Sequence, residues 1–287
     1  MGRLLRQIGP QKRLPTLEQA ANLLATHYEQ ASKLSFQNSD KKQKKACKQV
    51  LQQNKSYTQN DIFTDELTLE ELECAIQKLD PNKSPGIDLL FGSMIKHFGI
   101  CTRCTLLRIF NLSWKSGKLP TLWKKSIIIP ILKPGKDAAC CKSYHPIPLT
   151  SALCKLMERI IHARIMRWLI EHNVIHFYQT AFRDGHIIVD QLFYLVQSVI
   201  DESEEIPHKK TTAVFLDLSA AFDRVWRQKL IEVLHRLGIK GNSLLWINDF
   251  LRHRKFVVRF NGRFSKSHRS WAGVPQGSFI SPLLFLM

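Results

Sequence analysis

Apolar residues recur along this chain at two spacings, one helical and one of strand type. Leu17, Ala20, Ala21, Leu24 and Tyr28 follow Thr16-x-x-Gln19, a capping-box pattern, and predict an amphipathic helix over 17–35. A second box, Thr68-x-x-Glu71, opens a helix through Leu69, Leu72, Ile76 and Leu79 that Pro81 stops. Further helices are predicted at about 94–115, at 151–171 behind Thr150 as cap, and at 188–202, 227–237 and 243–251. Strand patterns occupy 126–132, 211–217 and the two arms 256–260 and 263–267. The arms flank Asn261-Gly262, the clearest hairpin signal in the chain, because Asn-Gly suits a type I′ turn.

Polar and breaker-rich stretches separate these elements. The tract 37–60 carries Lys41, Lys42, Lys44, Lys45 and Lys48 and reads as a solvated helix or linker, with nuclear import as the alternative use of KKQKKACK. Lys133-Pro-Gly-Lys136 is a basic loop. Gly273-Val-Pro-Gln-Gly-Ser278 is a turn leading into the apolar stretch 282–287, which stops at Met287 inside what reads as a core helix. On that pattern the chain is expected to be truncated at its end.

Charge narrows the classes of function. Lys and Arg number 42 against 24 Asp and Glu, a formal charge of +18, which in a folded domain points to a polyanionic partner. The excess is +8 over residues 1–60 and +10 over 224–287, whereas 61–80 holds seven carboxylates and one Lys. No stretch approaches the roughly 20 apolar residues of a membrane span, and MGRLLRQIGPQKR lacks the apolar core of a signal peptide. Arg6 stands where myristoylation needs Ser or Thr. Seven cysteines without framework spacing suit a reducing compartment, so nucleus or cytoplasm is expected and secretion is not. His97 and Cys101-x-x-Cys104 lack a second ligand pair and read better as an apolar helix face than as a zinc site.

The chemistry centres on Asp217. A carboxylate behind Val214-Phe-Leu216 must end a strand, find a partner or bind a metal. Taken alone it is as well read as a strand-end cap, Phe222 as core, and the 273–278 turn as a flexible loop with one amide. The chain has no phosphate loop of the GxxxxGK[ST] type, no HExxH and no GxSxG, which argues against NTPase, zincin and hydrolase chemistry.

In order along the chain, six stretches resemble the reverse transcriptase domain of non-LTR, LINE-like and jockey-type retrotransposons. They are the runs from Trp123 to Asp137, Ser143 to Leu149 and Lys155 to Arg159, then Gln179-Thr-Ala-Phe-Arg183, Val214 to Val225, and Gly273 to Ser278. The resemblance implies an α+β, right-hand polymerase. A mainly helical, basic extension (1–113) would precede a reverse transcriptase domain (114–287), with fingers at about 114–210 and a partial palm from 211. It implies RNA-templated addition of dNTPs to a DNA 3′ end by two Mg²⁺ ions. RNA template, DNA primer and dNTPs would then be the partners.

Residue by residue, the resemblance makes Asp217 the first catalytic carboxylate and, with the carbonyl of Leu218, a metal ligand. Phe222 would lie under the incoming sugar and Arg183 would meet the triphosphate. Gln276 and Gly277 would line the nucleotide pocket. Lys133, Lys136 and the basic C-terminal hairpin would track nucleic-acid backbone, with a solvated loop as the plain reading of Lys133 and Lys136. Asp223 is expected to cap its turn or pair with a basic neighbour. His145, Pro148 and Ala181 depart from the family pattern, and neither the Tyr-x-Asp-Asp hairpin nor a thumb occurs in these 287 residues. The chain by itself is therefore expected to be inactive, with a non-catalytic RNA-binding relic as the alternative.

Overall fold

The computed structural model describes residues 16–35, 40–59, 61–183, 185–206 and 209–287. The readings made on residues 1–13, and the parts of the Lys tract at 37–39 and 60, lie outside them. The chain divides into two units, Met1–Ile165 with Ala220–Met287, and Met166–Ser219.

In the first unit both predicted capping boxes form. Helix α1 (Leu17–Ala31) opens with the Gln19 amide N–H donating to Thr16 Oγ1, while Thr16 N–H donates to Gln19 Oε1. The Lys tract forms α2 (Asp40–Lys55), whose Cys47 and Asn54 are buried, so one stripe of it is packed rather than solvated. Helix α3 (Leu69–Gln77) carries the Thr68–Glu71 box. The apolar stretch read as one helix over 94–115 is two, α4 (Gly92–Lys96) and α5 (Ile100–Ser116). Gly99 between them takes an extended backbone, φ −69° and ψ 167°, which ends one helical path and starts the next.

Strand β1 (Lys125–Leu132) pairs antiparallel with β2 (Tyr144–Thr150). The pattern missed β2 because Pro146 and Pro148 argue against a strand. It tolerates them by lying at the sheet edge, where a missing N–H breaks no ladder on its open side. Helix α6 (Ala152–Glu171) follows. Its cap is Ser151 rather than Thr150: Cys154 N–H donates to Ser151 Oγ, and Ala152 N–H donates to Asp88 Oδ2. Helix α7 (Ile188–Glu204) belongs to the second unit.

The chain continues with α8 (Arg227–Arg236) and α9 (Gly241–Leu251), then β3 (Lys255–Phe260), β4 (Arg263–Phe264), β5 (His268–Arg269) and α10 (Ser281–Leu286). The hairpin turn forms as read, with Asn261 at φ 46° and Gly262 at φ 80°, both left-handed as a type I′ turn requires. Strand β3 pairs parallel with β1 from Lys125↔Lys255 to Ile128↔Val258, giving the order β2-β1-β3-β4 with β5 also on β3.

Helix α1 covers this sheet, burying Leu24 and Ala25 against Ile128, Tyr144, Phe256 and Val258. A second core joins α5 to α9 through Phe110, Trp114, Trp246 and Phe250, all fully buried. Each such aromatic contributes about 2–3 kcal/mol by burial. Their polar edges are satisfied: Trp114 Nε1 donates to Asp65 O and Trp246 Nε1 to Ser113 Oγ. The α6 residue Arg164 reaches α3, donating to both Glu71 oxygens at 2.6 and 2.7 Å and to the carbonyls of Ile62, Asp65 and Glu66.

In the second unit, Phe177, Tyr178 and Tyr194 meet edge to face. The predicted strand over 211–217 does not form. Residues 209–218 follow no regular structure, and Val214, Phe215 and Leu216 are 76%, 84% and 90% exposed. High β-propensity does not make a strand without a neighbouring edge to bond, and among the described residues no strand pairs with 211–217.

Candidate active site around the 273–278 turn

The Gly/Pro turn is fixed to the short 3₁₀ turn Phe222–Arg224 by two backbone bonds: Gly273 N–H donates to Val225 O and Val274 N–H to Phe222 O, both at 2.8 Å. Gly273 has φ +81°, and a Cβ there would lie 2.5 Å from Phe222 O and 2.7 Å from Asp223 Cα. Only glycine permits this approach. The other end of the turn is held by α6, whose buried Glu158 accepts from Ser278 Oγ at 2.6 Å and from Phe279 N–H at 2.7 Å.

This docking brings Gln276 onto Asp223. The Gln276 amide nitrogen donates to both carboxylate oxygens at 3.0 Å. Asp223 thus takes neither role expected from the sequence, a cap of its turn or a partner of a basic neighbour, and pairs with an amide instead. Burial raises its pKa above the ordinary carboxylate value, and the Gln276 bonds oppose that rise. A cavity of about 90 Å³ opens beside the pair, bordered by Tyr28, Thr150, Arg254 and Phe256. Phe222 is half-buried and stacks on Phe285, ring centroids 4.8 Å apart. Beyond Gly277 (φ +73°), a cavity of about 270 Å³ is lined by Lys83, Lys155 and Arg159. Burial lowers the Lys155 pKa, with Glu158 opposing.

Of the residues singled out in the sequence, the first unit therefore brings together Phe222, Gln276 and Gly277. Lys133 and Lys136 stand exposed on a turn closed by Lys136 N–H donating to Lys133 O. Asp217, Leu218 and Arg183 belong to the second unit. Asp217 and Leu218 are exposed on the irregular segment; Arg183 is half-buried, one guanidinium nitrogen shielded and without a hydrogen-bond partner in the described residues. Among the described residues no group of three or more His, Cys, Asp or Glu is arranged to hold a metal, at Asp217 or around Cys101 and Cys104. Cys101 is exposed rather than part of a packed apolar face.

Glu158 and Arg227 escaped the sequence reading. Arg227 donates to Gly273 O, Ser270 O, Ser270 Oγ and Ala272 O, bracing the approach to the turn. Glu158 lies within the matched run Lys155–Arg159, so its position was visible although its partner was not. No local spacing marks Arg227, because its acceptors lie more than 40 residues away.

Comparison with known proteins agrees with the family resemblance that these motifs carry. The model of the family described as "Reverse transcriptase (RNA-dependent DNA polymerase)" matches residues 131–287. The chain is similar to a "Probable RNA-directed DNA polymerase from transposon BS" of Drosophila melanogaster, 32% identical over 93% of this chain and 29% of that protein. It is also similar to the "RNA-directed DNA polymerase from mobile element jockey" of the same species, 34% identical over 83% of this chain and 26% of that protein. The corresponding protein of transposon X-element is 33% identical over 76% and 24%. The chain thus spans less than a third of the length of these relatives.

Proposed function

Because the chain belongs to the reverse transcriptase (RNA-dependent DNA polymerase) family, we propose that it is part of a non-LTR retrotransposon polymerase that copies an RNA template onto a DNA 3′ end. The observation that carries this reading is the family match over 131–287, which takes in the Phe222–Gln276 site. In the proposal, residues 1–113 form the helical extension and 114–287 supply fingers and palm. RNA template, DNA primer and dNTPs are the partners, in the nucleus or cytoplasm. Among the described residues no helix is long and apolar enough to cross a membrane.

Phe222 would present its ring to the sugar, and its stack on Phe285 restrains that ring. Gln276 would line the nucleotide side with its amide oriented by Asp223, and Gly277 would leave the pocket wall free of a side chain. Arg183 would meet the triphosphate, Lys133 and Lys136 the backbone of nucleic acid.

The family's chemistry draws on divalent metal ions, for which Asp217 and the Leu218 carbonyl would be ligands. The described residues supply one carboxylate there, whereas a Mg²⁺ pair needs oxygens from several, so the residues present do not fit the ions and no polymerisation step is derived for them. The 287-residue polypeptide alone should leave an oligo(dT) primer on poly(rA) unextended in Mg²⁺. Extension by the purified chain that Asp217→Ala abolishes would overturn that expectation.

A further inference from the structure

A cavity of about 770 Å³ is bounded by α2, the start of β1, α8, the end of α9 and β5. Nine Lys or Arg residues and no Asp or Glu line it. It shares Arg254, Lys255 and Ser270 with the cavity beside Asp223, and none of the residues assigned to polymerisation lines it.

Two of its cations are buried, Arg227 at 8% exposure and Arg254 at 5%. Every bond that Arg227 donates ends on an uncharged oxygen. Arg254 donates to Phe250 O and Trp123 O and sits 4.8 Å over the Phe250 ring. Among the described residues neither guanidinium forms an ion pair, and Glu158 acts on Arg254 only from farther off. Burial, then the charge of Arg254, lowers the Arg227 pKa to about 9. Buried charges ordinarily find a counter-charge in the protein, since desolvation alone costs several kcal/mol per ion; here the cavity is where one could enter.

Lys48, Arg252, Lys255 and Arg269 are exposed around the opening. Lys124 is already engaged by Asp249 at 2.6 Å. Trp271, 51% exposed, stands at the lip with the Arg269 guanidinium 5.8 Å from its ring, and its Nε1 donates to Glu29, which fixes the indole. A fixed, exposed indole beside a basic cleft is the arrangement on which unpaired bases stack while cations follow the phosphates.

We propose that this cavity binds the phosphate backbone of single-stranded RNA, with Trp271 as a stacking platform, as a nucleic-acid contact separate from the Phe222–Gln276 site. The proposal rests on the reading of the chain as part of a nucleic-acid polymerase.

The test is fluorescence anisotropy of a labelled 20-nucleotide oligouridylate across a salt series. It compares the wild-type chain with K48E/R252E/R269E and with K78E/R108E/K118E, which changes the same charge at exposed positions outside the cavity. All six side chains are exposed, and circular dichroism confirms folding. The cavity triple should weaken binding about tenfold or more. It should also reduce the salt slope by about 2, because each single-strand phosphate contact contributes about 0.7. Trp271→Leu should weaken binding about tenfold with the slope unchanged. The control triple should change affinity less than about twofold, because its side chains lie outside the cavity and act only through screened, diffuse attraction.

Equal weakening by both triples overturns the proposal, as does no weakening by the cavity triple. Tripolyphosphate that competes as well as the oligonucleotide, with Trp271→Leu silent, assigns the site to free polyphosphate and also overturns it. A wild-type chain that binds no RNA at 50 mM salt counts against the polymerase reading itself. Wild-type binding that survives in the cavity triple counts only against the cavity.

Discussion

Glu71 and Asp223 are two carboxylates whose burial has opposite outcomes. Burial disfavours the charge of Glu71, but the Arg164 fork and the Thr68 N–H outweigh it and hold its pKa below the ordinary value. Its contribution is therefore full above the unfolded-state pKa and is lost as pH falls through the lower, folded one. Asp223 has only an amide to bond, so burial wins and its pKa rises. Protonation then favours the folded state, and stability is lost as pH rises from the unfolded pKa through the folded one. Glu71→Gln should cost about 3 kcal/mol at neutral pH by stranding Arg164, and the loss should shrink in acid. Asp223→Asn should be neutral in acid and gain on the wild type towards neutral pH. Urea midpoints measured over that range check both signs. The capping role of Glu71 was legible in Thr68-x-x-Glu71; its partner Arg164, 93 residues away, was not.

Element by element, the sequence spoke clearly wherever the deciding contacts were local. Both capping boxes and the Asn261-Gly262 turn formed as the residues dictate, because each depends on neighbours within four positions. Strand β2 was hidden by its prolines, whose cost vanishes only at a sheet edge that the sequence does not announce. Residues 211–217 failed the other way, since their β-rich composition cannot supply a neighbouring strand. The 273–278 turn lies between: its glycines were obvious, but their reason is the backbone of 222–223 pressed against Gly273. Gly273→Ala should therefore cost about 2 kcal/mol or more, through the clash and the positive φ together. A thermal melt should show it, with Gly262→Ala milder because a Cβ there meets nothing within 4 Å.

For the whole molecule, family membership was legible from six short stretches in order, while the division of the chain into units was not. The candidate residues fall in both units, with Phe222, Gln276 and Gly277 in one and Arg183, Asp217 and Leu218 in the other. The segment 209–218 is exposed and has no regular backbone bonding, the features that admit a protease. Brief digestion with chymotrypsin should cut first at Phe215 or Leu216, read by mass spectrometry of the fragments. First cleavage within β1 or α9 would contradict this picture. The charge excess of +18 was plain from composition, but its focus on one cavity required the fold to bring α2 beside α8 and α9.

Helix α1 rests on strands that lie far downstream of it in the chain. Asn22 accepts from Lys266 N–H across 244 positions, and Glu29 accepts from Trp271 Nε1 across 242. At roughly 5–20 residues per second of synthesis, the stripe of Ala20, Ala21, Leu24 and Ala25 waits on the order of 10–50 seconds for its sheet. That interval is long compared with the microseconds in which helices form and chains collapse. Through that interval the apolar stripe of α1 has no sheet to cover it, so the rate of synthesis, and not only the stability of the finished fold, bears on how the chain folds.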